Sequence, residues 1–297
     1  MNRLAALIGD HRPLLLDGAM GTLLQDSGLE DGDPGELWNL ENQDAVRAAH
    51  TAYADAGARV LTTNTFGGTR PRLDMHGLGD RLAEVNRNAA QVARSVADGR
   101  GLLVAGDLGP TGELMAPLGT LTAEETQALF AEQLAALVDG GIDLVLVETL
   151  SDLAEADAAL AAAREVAPDL PVVVTMSFDT NLRTMMGVRP GDAVVHLAAA
   201  GADAVGANCG RGPEEMELIA AEMAAARPDG LLLVAQSNAG LPQVVGDHFE
   251  YDASAEDMAA HAGRVSDLGI DLVGGCCGST PDHVAAIAAA IGQARSR

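Results

Sequence analysis

Four stretches of this chain follow one pattern: Gly57-Ala58-Arg59-Val60, Gly141-Ile142-Asp143-Leu144, Gly201-Ala202-Asp203-Ala204 and Gly269-Ile270-Asp271-Leu272. In each, a segment with helical spacing ends on glycine and an apolar run follows within a few residues. Glycine ends helices because it reaches the left-handed conformation without a steric penalty. The apolar runs are short and bounded by turn residues, which suits strands of a parallel sheet covered on both faces. A chain that repeats strand, loop, helix in this way is confined to α/β architectures.

Apolar runs of this kind fall at 14–17, 60–64, 102–107, 144–148, 172–177, 204–209, 231–237 and 272–276. Amphipathic segments fill the gaps. Residues 43–56 put Val46, Ala49, Tyr53 and Ala56 on one stripe. Thr122 with Glu125 is a capping box that opens a helix carrying Phe130, Leu134 and Leu137 on one face, and Asp152 with Glu155 opens another in the same way. Thr280-Pro281 supplies an N-cap followed by proline at the first helical position. Eight strand–helix units predict a single (β/α)8 TIM barrel. A doubly wound open sheet is the alternative, but no Gly-x-Gly-x-x-Gly follows the first strand. The loops at 25–42, 108–121 and 240–253 are rich in Gly, Asp and Pro without a break in composition, so residues 1–297 are expected to form one domain. With 48% hydrophobic but only 2% aromatic residues, the core must be filled by Ala, Val, Leu and Ile.

The formal net charge is −25, and all 18 basic side chains are arginine. Without lysine there is neither a Schiff-base nucleophile nor a phosphate-loop lysine. The acidity argues against nucleic acid and anionic membrane surfaces as partners, and otherwise favours solubility or tolerance of salt. No apolar stretch is long enough to span a bilayer, and the N-terminal apolar run is too short for a signal peptide. Three cysteines, two of them adjacent, make a poor disulfide framework, so a reducing cytoplasm is the expected compartment.

Chemistry in α/β barrels sits at the carboxyl ends of the strands. The residues expected there are Asp17, Asn64, Asp107, Glu148, Ser177, Cys209, Asn238, Cys276 and Cys277. Three thiolates would hold zinc in a tetrahedral site with one position open, as catalytic sites do. Glycines flank both cysteine segments and let the backbone turn tightly. Helices expected to begin at Pro213 and Pro281 would aim their positive ends at the sulfurs. Free cysteines are also common as small buried core residues, and Cys209 alone fits that reading better. Cys276-Cys277 between glycines fits ligation better. Asp17, followed by the turn glycine Gly18, and Glu148 end strands, where a carboxylate would bind a substrate ammonium. His50, His196 and His261 fall within helices and read as core or surface histidines; Met185-Met186 and Trp38 read as packing or loop residues.

Several segments together resemble the homocysteine S-methyltransferase family. They are Leu16-Asp17-Gly18-Ala19-Met20-Gly21-Thr22, Thr63-Asn64-Thr65-Phe66-Gly67, Gly109-Pro110-Thr111-Gly112, Val147-Glu148-Thr149, Asn208-Cys209, Asn238-Ala239-Gly240 and Gly274-Gly275-Cys276-Cys277-Gly278. They run in the family's order from about residue 10 to 290, and the double cysteine with the upstream Asn-Cys is the specific part. The resemblance implies an α/β barrel whose Cys209, Cys276 and Cys277 bind Zn2+, and Glu148 with the Asp17-Gly18 turn holding the amino-acid end of homocysteine. It also implies that Asn238 stands close to the metal, as a displaceable fourth ligand. Asn64, Asp107 and the turn at 109–112 would line the donor side.

Within the family the pattern looks most like the homocysteine-binding domain of cobalamin-dependent methionine synthase. Gly67 and Thr149 stand where the betaine-using branch has aromatics, so an aromatic cage is not expected. The sequence ends just after the barrel, so folate, cobalamin and activation domains are not expected. The resemblance implies methyl transfer to the thiol of homocysteine, giving methionine. The donor is left open among a methylcorrinoid on a separate protein, a sulfonium and a methylfolate, as is the oligomeric state. A non-catalytic thiolate metal-binding or redox-switch barrel is the alternative function, and a barrel lyase with a carboxylate-bound divalent metal a third.

Overall fold

The computed structural model describes residues 2–9, 12–30, 32–245 and 248–292. Asp31, Gly246 and Asp247, within two of the loops marked above, lie outside the described residues. The strands are β1 (Leu14–Leu15), β2 (Val60–Thr62), β3 (Leu103–Leu108), β4 (Leu144–Leu150), β5 (Val172–Met176), β6 (Ala204–Cys209), β7 (Leu232–Ser237), β8 (Pro242–Val245), β9 (His248–Tyr251) and β10 (Leu272–Gly275). Eight of them form one parallel sheet in the order β1-β10-β7-β6-β5-β4-β3-β2, while β8 and β9 pair as a separate antiparallel hairpin. The helices are α1 (Arg3–Ile8), α2 (Met20–Asp26), α3 (Trp38–Glu41), α4 (Gln43–Ala56), α5 (Arg70–Asp74), α6 (Leu82–Ala97), α7 (Ala123–Gly140), α8 (Leu153–Val166), α9 (Pro190–Ala199), α10 (Pro213–Ala226), α11 (Ala255–Asp267) and α12 (Pro281–Ala290).

The circle closes between β1 and β2. The Arg59 N–H donates to the Leu15 carbonyl at 2.9 Å. Beyond that point a side chain continues the seam: the Asp17 carboxylate accepts from the Thr62 N–H and the Thr62 hydroxyl, both at 2.7 Å. The result is the (β/α)8 barrel expected from the sequence. Side chains alternate along each strand, and the inward-pointing Leu16, Val60, Leu144, Val173, Val234 and Leu272 pack the interior. Helix α1 closes the floor, with Leu4 and Ile8 joining that interior cluster. A second, larger cluster fills the space between strands and surrounding helices, and its side chains are mostly Ala, Val and Leu.

The repeated glycine pattern has a shared physical basis at three of its four positions. Asp143 accepts from the Val104 N–H of the preceding strand at 2.8 Å and from Arg94 at 2.6 Å. Asp203 accepts from the Val172 N–H at 3.0 Å and from Arg164 at 3.2 Å. Asp271 accepts from the Leu233 N–H at 3.0 Å and pairs with Arg227 at 2.9 Å. Each arginine also donates to the carbonyl of the glycine two residues before the aspartate. At the first start Arg59 stands where the aspartate would be, and its backbone serves the closing seam instead.

Local structure departs from the sequence expectations in a few places. The strands expected at 14–17 and 60–64 end at Leu15 and Thr62; one further N–H on each continues the pairing, Leu16 to the Val273 carbonyl at 2.8 Å and Thr63 to the Ala105 carbonyl at 2.9 Å, before Asp17 and Asn64 reach the rim. Thr122 and Glu125 form the reciprocal capping box. Asp152 caps α8 through the Ala154 N–H, but Glu155 does not reach back; it accepts from the Thr111 N–H and hydroxyl at 2.9 and 2.7 Å, tying α8 to the loop after β3. The segment 240–253, expected as a loop, carries the β8–β9 hairpin. No helix among the described residues is long and apolar enough to cross a membrane.

Candidate functional site

Cys209 is the last residue of β6, and Cys276 and Cys277 follow β10, so the two segments flank β7 at the same end of the barrel. They stand on neighbouring strands but one, not on facing sides of the circle. Among the described residues the three sulfurs form a group whose atoms all lie within 4.8 Å of one another. The Sγ of Cys209 lies 2.8 Å from that of Cys276 and 3.9 Å from that of Cys277. Cys209 has φ 60°, an unusual conformation for a non-glycine residue, which turns the chain out of the strand and brings its sulfur inward. Helices α10 and α12 begin four residues after Cys209 and Cys277, at Pro213 and Pro281 as expected.

The metal-free cluster concentrates negative charge on one sulfur. Cys277 is lowered to about 3 by hydrogen bonds from Cys209 and Cys276, with a further one from the Tyr251 hydroxyl. Cys276 is raised by its contacts with Cys209 and Cys277 and by burial. For Cys209, the hydrogen bond with Cys276 pulls downward, but contact with Cys277, burial and the charge on Cys277 prevail and raise it. Three crowded sulfurs, one of them readily ionised, suit a soft or borderline cation.

The polar surroundings fit such an ion. Asn238 lies between the cysteine segments. Its amide donates to the Gly210 carbonyl at 2.7 Å, and the next N–H, of Ala239, donates to the Cys277 carbonyl at 2.9 Å. The Asn238 Oδ1 is buried and has no hydrogen-bond partner among the described residues, the condition expected of an oxygen reserved for a ligand. Ser279 donates to the Cys276 carbonyl at 2.6 Å and accepts from the Ala19 N–H at 3.1 Å. The buried Tyr53 hydroxyl lies within hydrogen-bond distance of the carbonyls of Ala19 and Ser279, at 2.9 and 3.0 Å. The turn after β1 is thereby fixed to the double-cysteine turn. A Cβ on Gly18 would stand 2.7 Å from the Ser279 Oγ and 2.8 Å from the Tyr53 ring, so only glycine fits there.

Facing the sulfurs is an acidic group. Glu148 is pushed up to about 8 by burial, then by the charges of Cys277 and Asp17. Asp17 is raised to about 6 by burial, against the lowering effect of its bonds from Thr62. Asp107 is raised well above the usual carboxylate range by burial and the charges of Glu148, Glu36 and Asp17, and its Oδ1 is buried without a hydrogen-bond partner among the described residues. Carboxyls that repel one another and lack cations are poised for a positively charged ligand.

The other expected residues are accounted for as follows. Asn64 is turned toward the loop before α3: its amide donates to the Gly35 carbonyl at 2.7 Å and to Asn39 at 3.1 Å. It therefore braces the rim. Ser177, after β5, is buried. His50 and His261 are buried and His196 pairs with Asp157 on the outside, so none is near the sulfurs' ligand set. Met185 and Met186 sit exposed on a loop, and Trp38 packs against the Leu24 and Val46 cluster. Sequence reasoning passed over Asn208, Tyr53, Ser279, Tyr251 and Glu36. Of these, only Asn208 carried a signal, its place beside Cys209.

Comparison with known proteins agrees with this geometry. Residues 14–291 match the homocysteine S-methyltransferase family. The chain is 32% identical to a methionine synthase of Mycobacterium leprae and 33% identical to one of Mycobacterium tuberculosis, over 95% of its own length in both cases. It spans only about a quarter of those relatives, 24% and 25%. The metallated form of the homocysteine methyltransferase MmuM from Escherichia coli is similar in structure, with a TM-score of 0.80 at 26% identity, covering 97% of this chain and 99% of that one. A methyltransferase from Methanosarcina mazei, at 13% identity and a TM-score of 0.58, shares the fold. By the match across nearly all of its barrel, the chain belongs to the homocysteine S-methyltransferase family.

Proposed function

We propose that residues 1–297 act as one zinc-dependent methyltransferase domain that moves a methyl group onto the thiol of homocysteine, giving methionine. The observation that carries this is the pairing of three sulfurs within 4.8 Å of one another with a facing group of raised carboxyls. A purely structural or redox role for the cysteines leaves those carboxyls, which are costly to bury, without a purpose. The similarity to proteins named methionine synthase and homocysteine methyltransferase supports the same choice.

Cys209, Cys276 and Cys277 would hold the zinc, with Asn238 Oδ1 as a ligand that yields to substrate. Bound zinc supplies the Lewis acidity that keeps a substrate thiol deprotonated at neutral pH. Glu148, with Asp17, receives the substrate ammonium, and that positive charge favours ionised carboxylates at both. The amides of the Gly18 turn suit the substrate carboxylate. The thiol proton passes to solvent, the sulfur lone pair forms the new S–CH3 bond, and the bond from methyl to its carrier breaks with its electrons staying on the carrier. Such a carrier must be a good leaving group: a methylcorrinoid on a separate protein, a sulfonium or a methylfolate. Asp107 and the Gly109–Gly112 turn line the side from which it approaches, with Asn64 bracing the rim there.

The test is to incubate zinc-loaded protein with homocysteine and each class of donor and follow methionine by mass spectrometry. Methionine that appears with one class and vanishes on chelation is the expected result. No methionine with any class, or undiminished formation by metal-free protein, defeats the proposal.

A further inference from the structure

Homocysteine is one methylene longer than cysteine. A site that grips both ends of an amino thiol can tell them apart only if the distance between its two grips is fixed. One buried side chain touches both. Asn208, on β6, accepts at Oδ1 from the Thr149 N–H at 2.9 Å and from the Thr175 hydroxyl at 2.8 Å. Its Nδ2 donates to the Thr149 hydroxyl at 2.6 Å and lies 3.8 Å from the Sγ of Cys276 and 3.9 Å from that of Cys209. The Thr149 N–H belongs to the peptide that follows Glu148, so the carboxamide holds the backbone of the acidic grip and faces the sulfur grip at once.

The backbone explains why a clamp is needed there. Pairing of β4 with β5 shifts register between Val147 and Leu150, so Glu148 and Thr149 leave the ladder. Thr149 has φ 63°, a conformation that a β-branched residue avoids unless its surroundings impose it. The two-point contact from Asn208 replaces the ladder bonds that the shift gives up. Cys209, the residue next to Asn208, is left-handed as well. Asn208 itself is fully buried on a strand, so both ends of its reach are set by the barrel wall.

We propose that Asn208 is a positioning residue that fixes the span from the cysteine cluster to Glu148 and thereby selects homocysteine over shorter amino thiols. This rests on the function proposed above, but it is testable without methyl transfer. The experiment measures Kd for homocysteine and for cysteine by calorimetry on zinc-loaded wild type, Asn208→Ala, Thr149→Ala and the double variant. The thiolate-to-metal absorption band of the cobalt-substituted proteins reports the sulfur ligands separately. A fitted pocket discriminates one methylene by about 10–200-fold. Asn208→Ala should cut the homocysteine preference by about tenfold or more, with the cobalt band retained, and the double variant should lose little beyond it because both changes remove one contact. Should Asn208→Ala fail to fold, Thr149→Ala carries the same expectation with a smaller effect. A preference unchanged in every variant that folds, or equal weakening of both ligands, overturns the proposal. Wild type that prefers homocysteine and makes no methionine would instead overturn the catalytic assignment and leave this one supported.

Discussion

A thiol binds metal as thiolate, and the three sulfurs here share that burden unevenly. Cys277 is the one that ionises first, helped by Cys209, Cys276 and the Tyr251 hydroxyl. Cys276 is raised and lies 2.8 Å from Cys209, and its loss leaves two sulfurs, too few for the three-thiolate site. Cys276→Ala should abolish zinc binding in a chelator competition and abolish methionine formation, with the circular dichroism spectrum unchanged; full activity without metal would count decisively against the site. Glu148→Ala should raise KM for homocysteine about tenfold or more, since a charge-assisted hydrogen bond contributes about 1.5–3 kcal/mol; an unchanged KM removes its role as the ammonium holder. These residues were legible in the sequence because each ends an apolar run, where a polar side chain has no reason to be unless it faces a ligand. The Asn-Cys pair marked Asn208 but not its bond to Thr149, 59 residues away, and Tyr53 and Ser279 were not legible, because their partners lie 226 and 260 residues away and no local pattern announces such a contact.

Among the elements, the strand starts with Gly-x-Asp were the most legible feature, and their chemistry accounts for it. An aspartate there takes the N–H at the start of the preceding strand and an arginine from the end of the helix before that strand, while the arginine also serves the glycine carbonyl. Asp203 is the most heavily engaged, holding Val172, Arg164 and Arg3, and those bonds keep its carboxyl below the usual range despite burial. Asp203→Ala should destabilise the protein by about 1–3 kcal/mol, the cost of stranding a buried donor. Arg47→Ala, which breaks the exposed pair with Asp44, should cost under about 1 kcal/mol. Urea midpoints check both; equal effects would show that the floor aspartates add no more than surface charge. The β8–β9 hairpin was not legible, because its short strands follow a Gly- and Pro-containing stretch and pair only with each other. Its position depends on remote anchors: Tyr251 on Cys277, and His283 against the Ala253 carbonyl at 3.0 Å.

At the scale of the whole molecule, eight units and their order could be counted from the sequence, but the closure of the circle could not. It depends on Asp17 standing in for backbone pairing at the seam. Global stability also has a buried acid-sensitive point. His50 on α4 is fully buried, neither ring nitrogen has a hydrogen-bond partner among the described residues, and burial lowers it to about 4. A base depressed in the folded state contributes stability that is present above its unfolded value of 6.5 and is lost as pH falls through about 4. Tm should therefore fall across that window, and His50→Leu should flatten this part of the slope; an identical slope in the variant would place the acid sensitivity elsewhere.

The circular pairing sets an order of events during synthesis. All three acidic side chains of the rim precede residue 149, whereas the first sulfur comes at 209 and the last two follow β10, the strand that must dock beside β1. A growing chain thus holds its acidic residues long before it can gather its thiols, and the thiols converge only when the last strand meets the first. On the zinc-binding reading proposed above, metal capture would be the final step of assembly, and an ion held by three sulfurs would mark a barrel whose first and last strands have met.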